Sequence, residues 1–176
     1  MEAQTQTSPV TPTSVGVRFG LLTGLASVIL SFILFVTETD QTPAKWLSLL
    51  ILVGAMVAAH NFYKQQNQGF MNYGEGLVIG MVMGGVSGII STAFTYVYMT
   101  FIEPGYMNRV MDTARAEMEK NEGVSEEQID QALGMMQKFS SGGWLVVVGI
   151  VGAVVFGLLT ALAVSAFTKH VRPEFE

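Results

Sequence analysis

Hydrophobic positions in this chain fall in long unbroken blocks. Residues 19–37, 46–63, 76–102 and 139–168 contain no Asp, Glu, Lys or Arg and consist mostly of Leu, Ile, Val, Met, Phe, Ala and Gly. The blocks hold 19, 18, 27 and 30 residues. About 20 apolar residues in a helix cross the ~30 Å hydrocarbon core of a bilayer. A helix on a water-soluble domain needs a polar face, and these blocks have none to offer. The pattern predicts an all-α polytopic membrane protein with four transmembrane helices, over 15–36, 44–63, 73–102 and 143–168. Glu103-Pro104 closes the third, because the residue before proline avoids the α region.

Polar positions set the rest of the organisation. Residues 1–14, rich in Thr, Ser, Gln and Pro, read as a disordered tail without the positive n-region of a cleavable signal. The first span then serves as an uncleaved insertion signal. The bundle occupies 15–168, and 169–176 form a C-terminal tail. Within the bundle, 104–138 changes period. Met107, Val110, Met111, Ala114 and Met118 recur at three- and four-residue steps, and Ile129, Leu133 and Met136 repeat the pattern. Between them Gly123 suits a helix end, Ser125 with Gln128 makes a capping box, and Val124 with Ile129 is placed as a hydrophobic staple. This predicts an amphipathic helical hairpin outside the membrane core, between helices three and four. Its stripes need cover, from each other, the bundle's end, the lipid surface or another protein. Val110, Met111, Met118, Ile129, Leu133 and Met136 are the candidate partner contacts.

A third pattern lies inside the apolar blocks. Helix three carries Gly76, Gly80, Gly84 and Gly88. Helix four carries Gly149, Ala153, Gly157, Ala161 and Ser165, and helix one carries Gly16, Gly20 and Gly24. Residues four apart share a helix face, so each ladder is a smooth groove where another backbone can come close. Such glycine zippers serve packing within one chain or self-association between chains. A shift of 60 aligns the first ladder with the third helix's, and a shift of 98 aligns Trp46, Gly54 and Ala55 with Trp144, Gly152 and Ala153. Duplicated hairpins related by an axis along the membrane normal would produce this, as would chance in so biased a composition.

Charge and composition then narrow the chemistry. Charged residues are 13% and the net charge is -5, which describes the loops and argues against nucleic acid, a ligand that asks for clustered Lys and Arg. Cysteine is absent, so disulfides and thiolate chemistry are excluded. No nucleophile–base pair, phosphate loop or metal spacing is present, so the expectation is a non-enzyme with no catalytic residues, cofactor or metal. No acid or base lies near the centre of any span. Glu75, opening helix three, reads as a carboxylate favoured by the helix dipole or as an ion or partner contact, and Arg18 is placed to pair with it if helices one and three are neighbours. His60 reads as an interfacial histidine. The span hydroxyls read as interhelical hydrogen-bonders; Ser87, Ser91 and Thr95 form one stripe, with Ser31 as its one matching partner. Trp46, Trp144, Tyr96, Tyr98 and Tyr106 are expected in an aromatic belt at one face, with Phe62, Tyr63, Phe70 and Tyr73 at the other. Arg18 before the first span and Glu38 and Asp40 after it favour cytoplasmic termini, although counting all bases does not decide.

The order of these features is similar to a known family. The segment Phe70-Met71-Asn72-Tyr73-Gly74-Glu75-Gly76, the glycine-spaced third span, Tyr96 to Pro104 and the stretch Ser125-Glu126-Glu127-Gln128-Ile129 resemble a family of small Bacteroidota membrane proteins. That family is a domain of unknown function, number four-one-nine-nine. The resemblance implies four helices in a bacterial inner membrane, and it brings no activity, ligand or catalytic residue. The expectation is therefore an accessory subunit or assembly factor. Its ladders pack helices, and its acidic hairpin meets a partner; the lipid bilayer and a homo-oligomer or membrane-protein partner are its companions. The alternative is a small oligomeric channel or carrier.

Overall fold

The computed structural model describes residues 10–120, 123–140 and 143–171. Four helices are long and apolar enough to cross a membrane, and the protein is an all-α polytopic membrane protein. Helix α1 runs Pro12–Val36. Thr11 and Ser14 cap it reciprocally, each hydroxyl bonding the other's backbone N–H, and Pro12 supplies a preset φ. The helix thus starts three residues before the expected Val15, so 12–14 belong to it and not to a tail; residues 1–9 lie outside the described residues. A 3-10 turn, Pro43–Trp46, leads into α2, Leu47–Gln66. Gly69, with φ 87°, turns the chain back and α3 follows, Tyr73–Val97. A single π turn, Tyr98–Ile102, extends α3 to Glu103. The hairpin is α4, Tyr106–Glu119, and α5, Glu126–Ser140. Helix α6, Gly143–Thr168, completes the bundle.

Helix α3 is the spine. Helix α1 lies parallel along one side of it and α6 antiparallel along another. Close approach is what glycine permits here, because lipid tails are as apolar as leucine and helices in a bilayer gain from dense contact. A Cβ at Gly20 of α1 would stand 2.8 Å from the Cβ of Val86 and 3.0 Å from the carbonyl oxygen of Met83. A Cβ at Gly84 of α3 would stand 2.7 Å from the carbonyl oxygen of Ala153. The remaining ladder positions follow suit. Gly16 and Gly24 face α3; Gly76, Gly80 and Gly88 face Ser165, Ala161 and Ala153; Gly157 faces Gly80 and Gly84; Gly149 faces Thr92. All three ladders are turned inward within one chain.

Helix α2 is different. Its buried residues are Met56, Ala59, His60 and Tyr63, and none of residues 47–55 is buried. The core gathers there: Val15, Met56, Ala59, Tyr63, Met71, Ile79, Met83, Ala161 and Val164. The two helical hairpins are therefore not packed alike, since α3 and α6 touch along their length while α2 meets the bundle closely at one end.

Outside the bundle, α4 and α5 pack against one another. The Ser125–Gln128 box is formed, with Ser125 N–H donating to Gln128 Oε1 at 2.9 Å and Gln128 N–H to Ser125 Oγ at 3.3 Å. Arg115 of α4 pairs with Asp130 of α5. Ile129 is buried, Val110, Met111, Met118 and Leu133 are half-buried, and Met136 is exposed beside Met135 and Phe139. The turn expected at Gly123 adjoins residues 121 and 122, outside the described residues.

Candidate functional site

The sparsely packed end of α2 leaves a chamber of about 460 Å³ between all four transmembrane helices. Helix α1 contributes Thr23, Ser27 and Ser31, and α3 contributes Ser87 and Ser91. Helix α2 and the turn before it add Lys45, Trp46, Ser48, Leu49 and Leu52, and α6 adds Ala153 and Phe156. The local sequence explains both the stripe and the gap. Thr23, Ser27 and Ser31 are spaced by four, as are Ser87 and Ser91, so each set lines one face. Thr23 and Ser87 immediately precede Gly24 and Gly88, which brings their helices close. Side chains this small cannot fill the space that α2's first turns leave.

Thr23 is 3% exposed, and its hydroxyl has no hydrogen-bond partner among the described residues. An orphaned buried hydroxyl costs on the order of 1–3 kcal/mol. Ser87 donates to the Gly84 carbonyl at 3.3 Å. Of the expected stripe, Thr95 instead donates to Ser91 O at 3.0 Å and does not line the chamber. Thr23, Ser27 and Ser48 were not anticipated as Ser31's companions; the four-residue spacing of 23, 27 and 31 beside the glycine ladder was the available signal.

The opposite end is closed. His60 is fully buried, not interfacial as expected: its Nδ1 is 2.8 Å from Thr168 Oγ1 and its Nε2 3.3 Å from the Gly76 carbonyl. A carbonyl can only accept, so Nε2 carries a proton; the Thr168 hydroxyl beside Nδ1 also lies 2.9 Å from the Val164 carbonyl. Tyr63 donates to Glu75 Oε1 at 2.8 Å, while Glu75 Oε2 accepts from Asn72 N–H at 2.7 Å as part of the α3 cap. The anticipated pairing of Arg18 with Glu75 is not made: the guanidinium lies over the Phe62 ring, 4.9 Å from its centroid. Met71 and His170 exchange two backbone hydrogen bonds of 2.8 Å across the end of the bundle. Ser165 Oγ is buried and has no hydrogen-bond partner among the described residues. Among the described residues, no cluster of His, Asp or Glu could hold a metal ion.

At the open end the hairpin is clamped to the first loop. Arg109 donates from Nη1 to Asp40 Oδ1 at 2.9 Å and from Nε and Nη2 to the two Glu103 oxygens at 3.2 and 3.1 Å. Asp40 Oδ2 accepts from the Tyr106 hydroxyl at 3.0 Å and from Gln41 Nε2 at 2.7 Å. Burial alone would raise the Asp40 pKa, but the hydrogen bonds from Gln41, Arg109 and Tyr106 outweigh it and hold the carboxyl below its ordinary value. The Glu103 fork, with Asp40, pushes Arg109 upward. Burial and the Asp40 charge raise Tyr106. Tyr98 and Tyr106 thus leave the expected aromatic belt: both are buried, 4.9 and 4.8 Å from the Phe35 ring. Tyr63 is lost from the other belt for the same reason, being buried itself. Trp46 and Trp144 remain exposed.

The chain belongs to the family DUF4199, proteins of unknown function, whose profile matches residues 18–170. No curated protein and no solved structure matches it.

Proposed function

We propose that this member of the DUF4199 family is a non-enzymatic membrane protein that works by binding, a receptor or carrier-type bundle whose ligand enters the chamber from the Trp46 end and is stopped by the closed end. The observation that supports this best is the unpartnered, buried Thr23 hydroxyl in a chamber lined by further hydroxyls. A ligand or water satisfies such a group, and apolar packing does not. Arg18, Lys64 and Lys169 gather at the closed end, which favours a cytoplasmic closed end in a bacterial inner membrane and a chamber opening on the far side. The ladders are used within the chain, so the reading needs no oligomer.

The chain has no cysteine, which makes thiol scanning direct. Thr23→Cys, Ser27→Cys and Ser31→Cys should react with a membrane-impermeant thiol reagent added from one side of reconstituted vesicles, Ser31→Cys fastest and Thr23→Cys slowest. Met56→Cys, in the closed half, should stay unlabelled. Absence of labelling at both 27 and 23 would remove the reading.

The second reading, an accessory subunit contacting a partner through the hairpin, draws on the clamp at Asp40 and Arg109, which holds the hairpin in a fixed pose, and on the exposed Met135, Met136 and Phe139. It predicts a stoichiometric second protein in native-lipid particles, lost on changing Met135 and Phe139 to Ser.

A further inference from the structure

Between α2 and α6 a second depression opens sideways toward lipid, distinct in its lining from the chamber although both touch Leu49 and Phe156. It measures about 560 Å³ and is walled by Leu49, Val53 and Val57 on one helix and Phe156, Leu159 and Phe167 on the other. At the closed end it meets a polar hollow of about 490 Å³ containing Lys64, Lys169, Asn61 and Gln65. Phe167 and Thr168 belong to both. We propose that this continuous seam is a binding site for one anionic phospholipid, its phosphate held by Lys64 and Lys169 and one acyl chain laid along the α2–α6 groove.

Charge complementarity identifies the occupant. Among the described residues, no acidic side chain lines the polar hollow. Neither lysine makes an ion pair among the described residues, whereas Arg109, Arg115 and Lys120 all do. Asn61 and Gln65 add hydrogen-bonding groups one turn apart on α2, suited to glycerol and ester oxygens. The groove below is almost wholly apolar, as a hydrocarbon chain requires and a soluble phosphate does not. Its length fits too: Phe156 to Thr168 covers about 18 Å of helix, a little over half of the ~30 Å hydrocarbon core and so about one leaflet. Phe167 is 90% exposed at the junction of head and tail, where a bound chain would cover it. Basic hollows between transmembrane helices are a recognised form of anionic headgroup site.

The test is native mass spectrometry of the full chain in detergent, with phosphatidylglycerol and phosphatidylcholine of identical chains added in equal amounts. The expected result is a one-to-one phosphatidylglycerol adduct at least tenfold stronger than the phosphatidylcholine adduct. Lys64→Gln and Lys169→Gln should each weaken it about fivefold, the share of one lysine at a membrane surface, while Lys64→Arg retains it. Ala163→Trp, which fills the groove, should weaken both lipids' adducts, and Val155→Trp, elsewhere on α6, should not; Val57→Phe serves if Ala163→Trp fails to fold. Equal adducts for the two lipids, or no loss in the lysine variants, would mean annular lipid only and overturn the site. Displacement by millimolar glycerol phosphate, or indifference to both groove-filling changes, would show a soluble phosphate ester as the ligand and overturn it equally.

Discussion

The two halves of this bundle are built from the same helices, yet one is sealed and the other hollow. At the sealed end α2 presents Met56, Ala59, His60 and Tyr63 to Ile79, Met83 and Val164, and the His60, Tyr63 and Glu75 side chains are hydrogen-bonded. At the hollow end α2 presents Ser48, Leu49 and Leu52 to hydroxyls and Ala153, and the Thr23 hydroxyl is left unpaired. The glycine ladders run through both halves, so they do not make the difference. They set how near α1 and α6 come to α3. Whether α2 closes on that layer depends on the size and polarity of the side chains facing it. In a bilayer this matters more than apolar character, because lipid competes for every apolar face and only tight fit favours protein over lipid.

The largest effect should come from breaking the layer common to both halves. Gly84→Leu must displace the Ala153 backbone, which no rotamer change can avoid, and should cost on the order of 3 kcal/mol or prevent folding. Gly152→Leu, on a face with nothing within 4 Å of an added Cβ, should change unfolding free energy by less than about 0.5 kcal/mol. Denaturation in mixed micelles measures both. Equal costs would mean the ladders are not what sets helix separation.

Next in size is the contrast between halves. Met56→Ala leaves a hole in the sealed end and should cost about 2–4 kcal/mol. Leu52→Ala borders an existing cavity, is half-buried, and should cost less than about 1 kcal/mol. A smaller contrast has opposite signs. Tyr63→Phe strands an acceptor on Glu75 and should destabilise by about 1 kcal/mol. Thr23→Val removes an unpaired hydroxyl at constant shape and should stabilise the ligand-free protein by about 1 kcal/mol. A destabilising Thr23→Val would show that the hydroxyl has a partner, and the hollow end would then resemble the sealed one.

Much of this was legible in the sequence, and what was not has a physical reason. Four spans, the ladders and the capped hairpin are local patterns, visible in charge gaps, four-residue spacing and the Ser125–Gln128 box. The partners of polar side chains are not local. Glu75 could be seen as a helix-opening carboxylate, but its second partner, Tyr63, comes from the preceding helix, and Arg18 lies over Phe62 instead. His60 looked interfacial from its place near a helix end, yet the Gly76 carbonyl and Thr168 draw it fully inside. The hollow depends on three helices presenting small polar residues at one depth, and that depth follows from the parallel stagger of α1 against α3, which no single segment encodes.

The smallest predicted effect concerns the clamp above the hollow end. Asp40 has its folded pKa depressed by donors that outweigh its burial. A depressed carboxylate contributes stability that is present above its unfolded pKa, about 3.9, and is lost as pH falls through the lower folded value. Tyr106 is raised, so its share is present below about pH 10 and is lost in the opposite direction, at higher pH still. Between those limits neither group changes charge, so the tie from loop to hairpin should be flat from pH 5 to 9. As pH falls below about 4 and on through the lower folded value, the Asp40 anion is progressively discharged, and the loop 37–42 should loosen while the sealed end keeps its packing. Hydrogen exchange, normalised for the intrinsic pH dependence, should then show faster opening at 38–42 and none at 59–63. Asp40→Asn should already open faster at neutral pH and lose this acid dependence. If both segments open together, the clamp and the sealed end form one cooperative unit, and the division of the bundle into two independent halves fails.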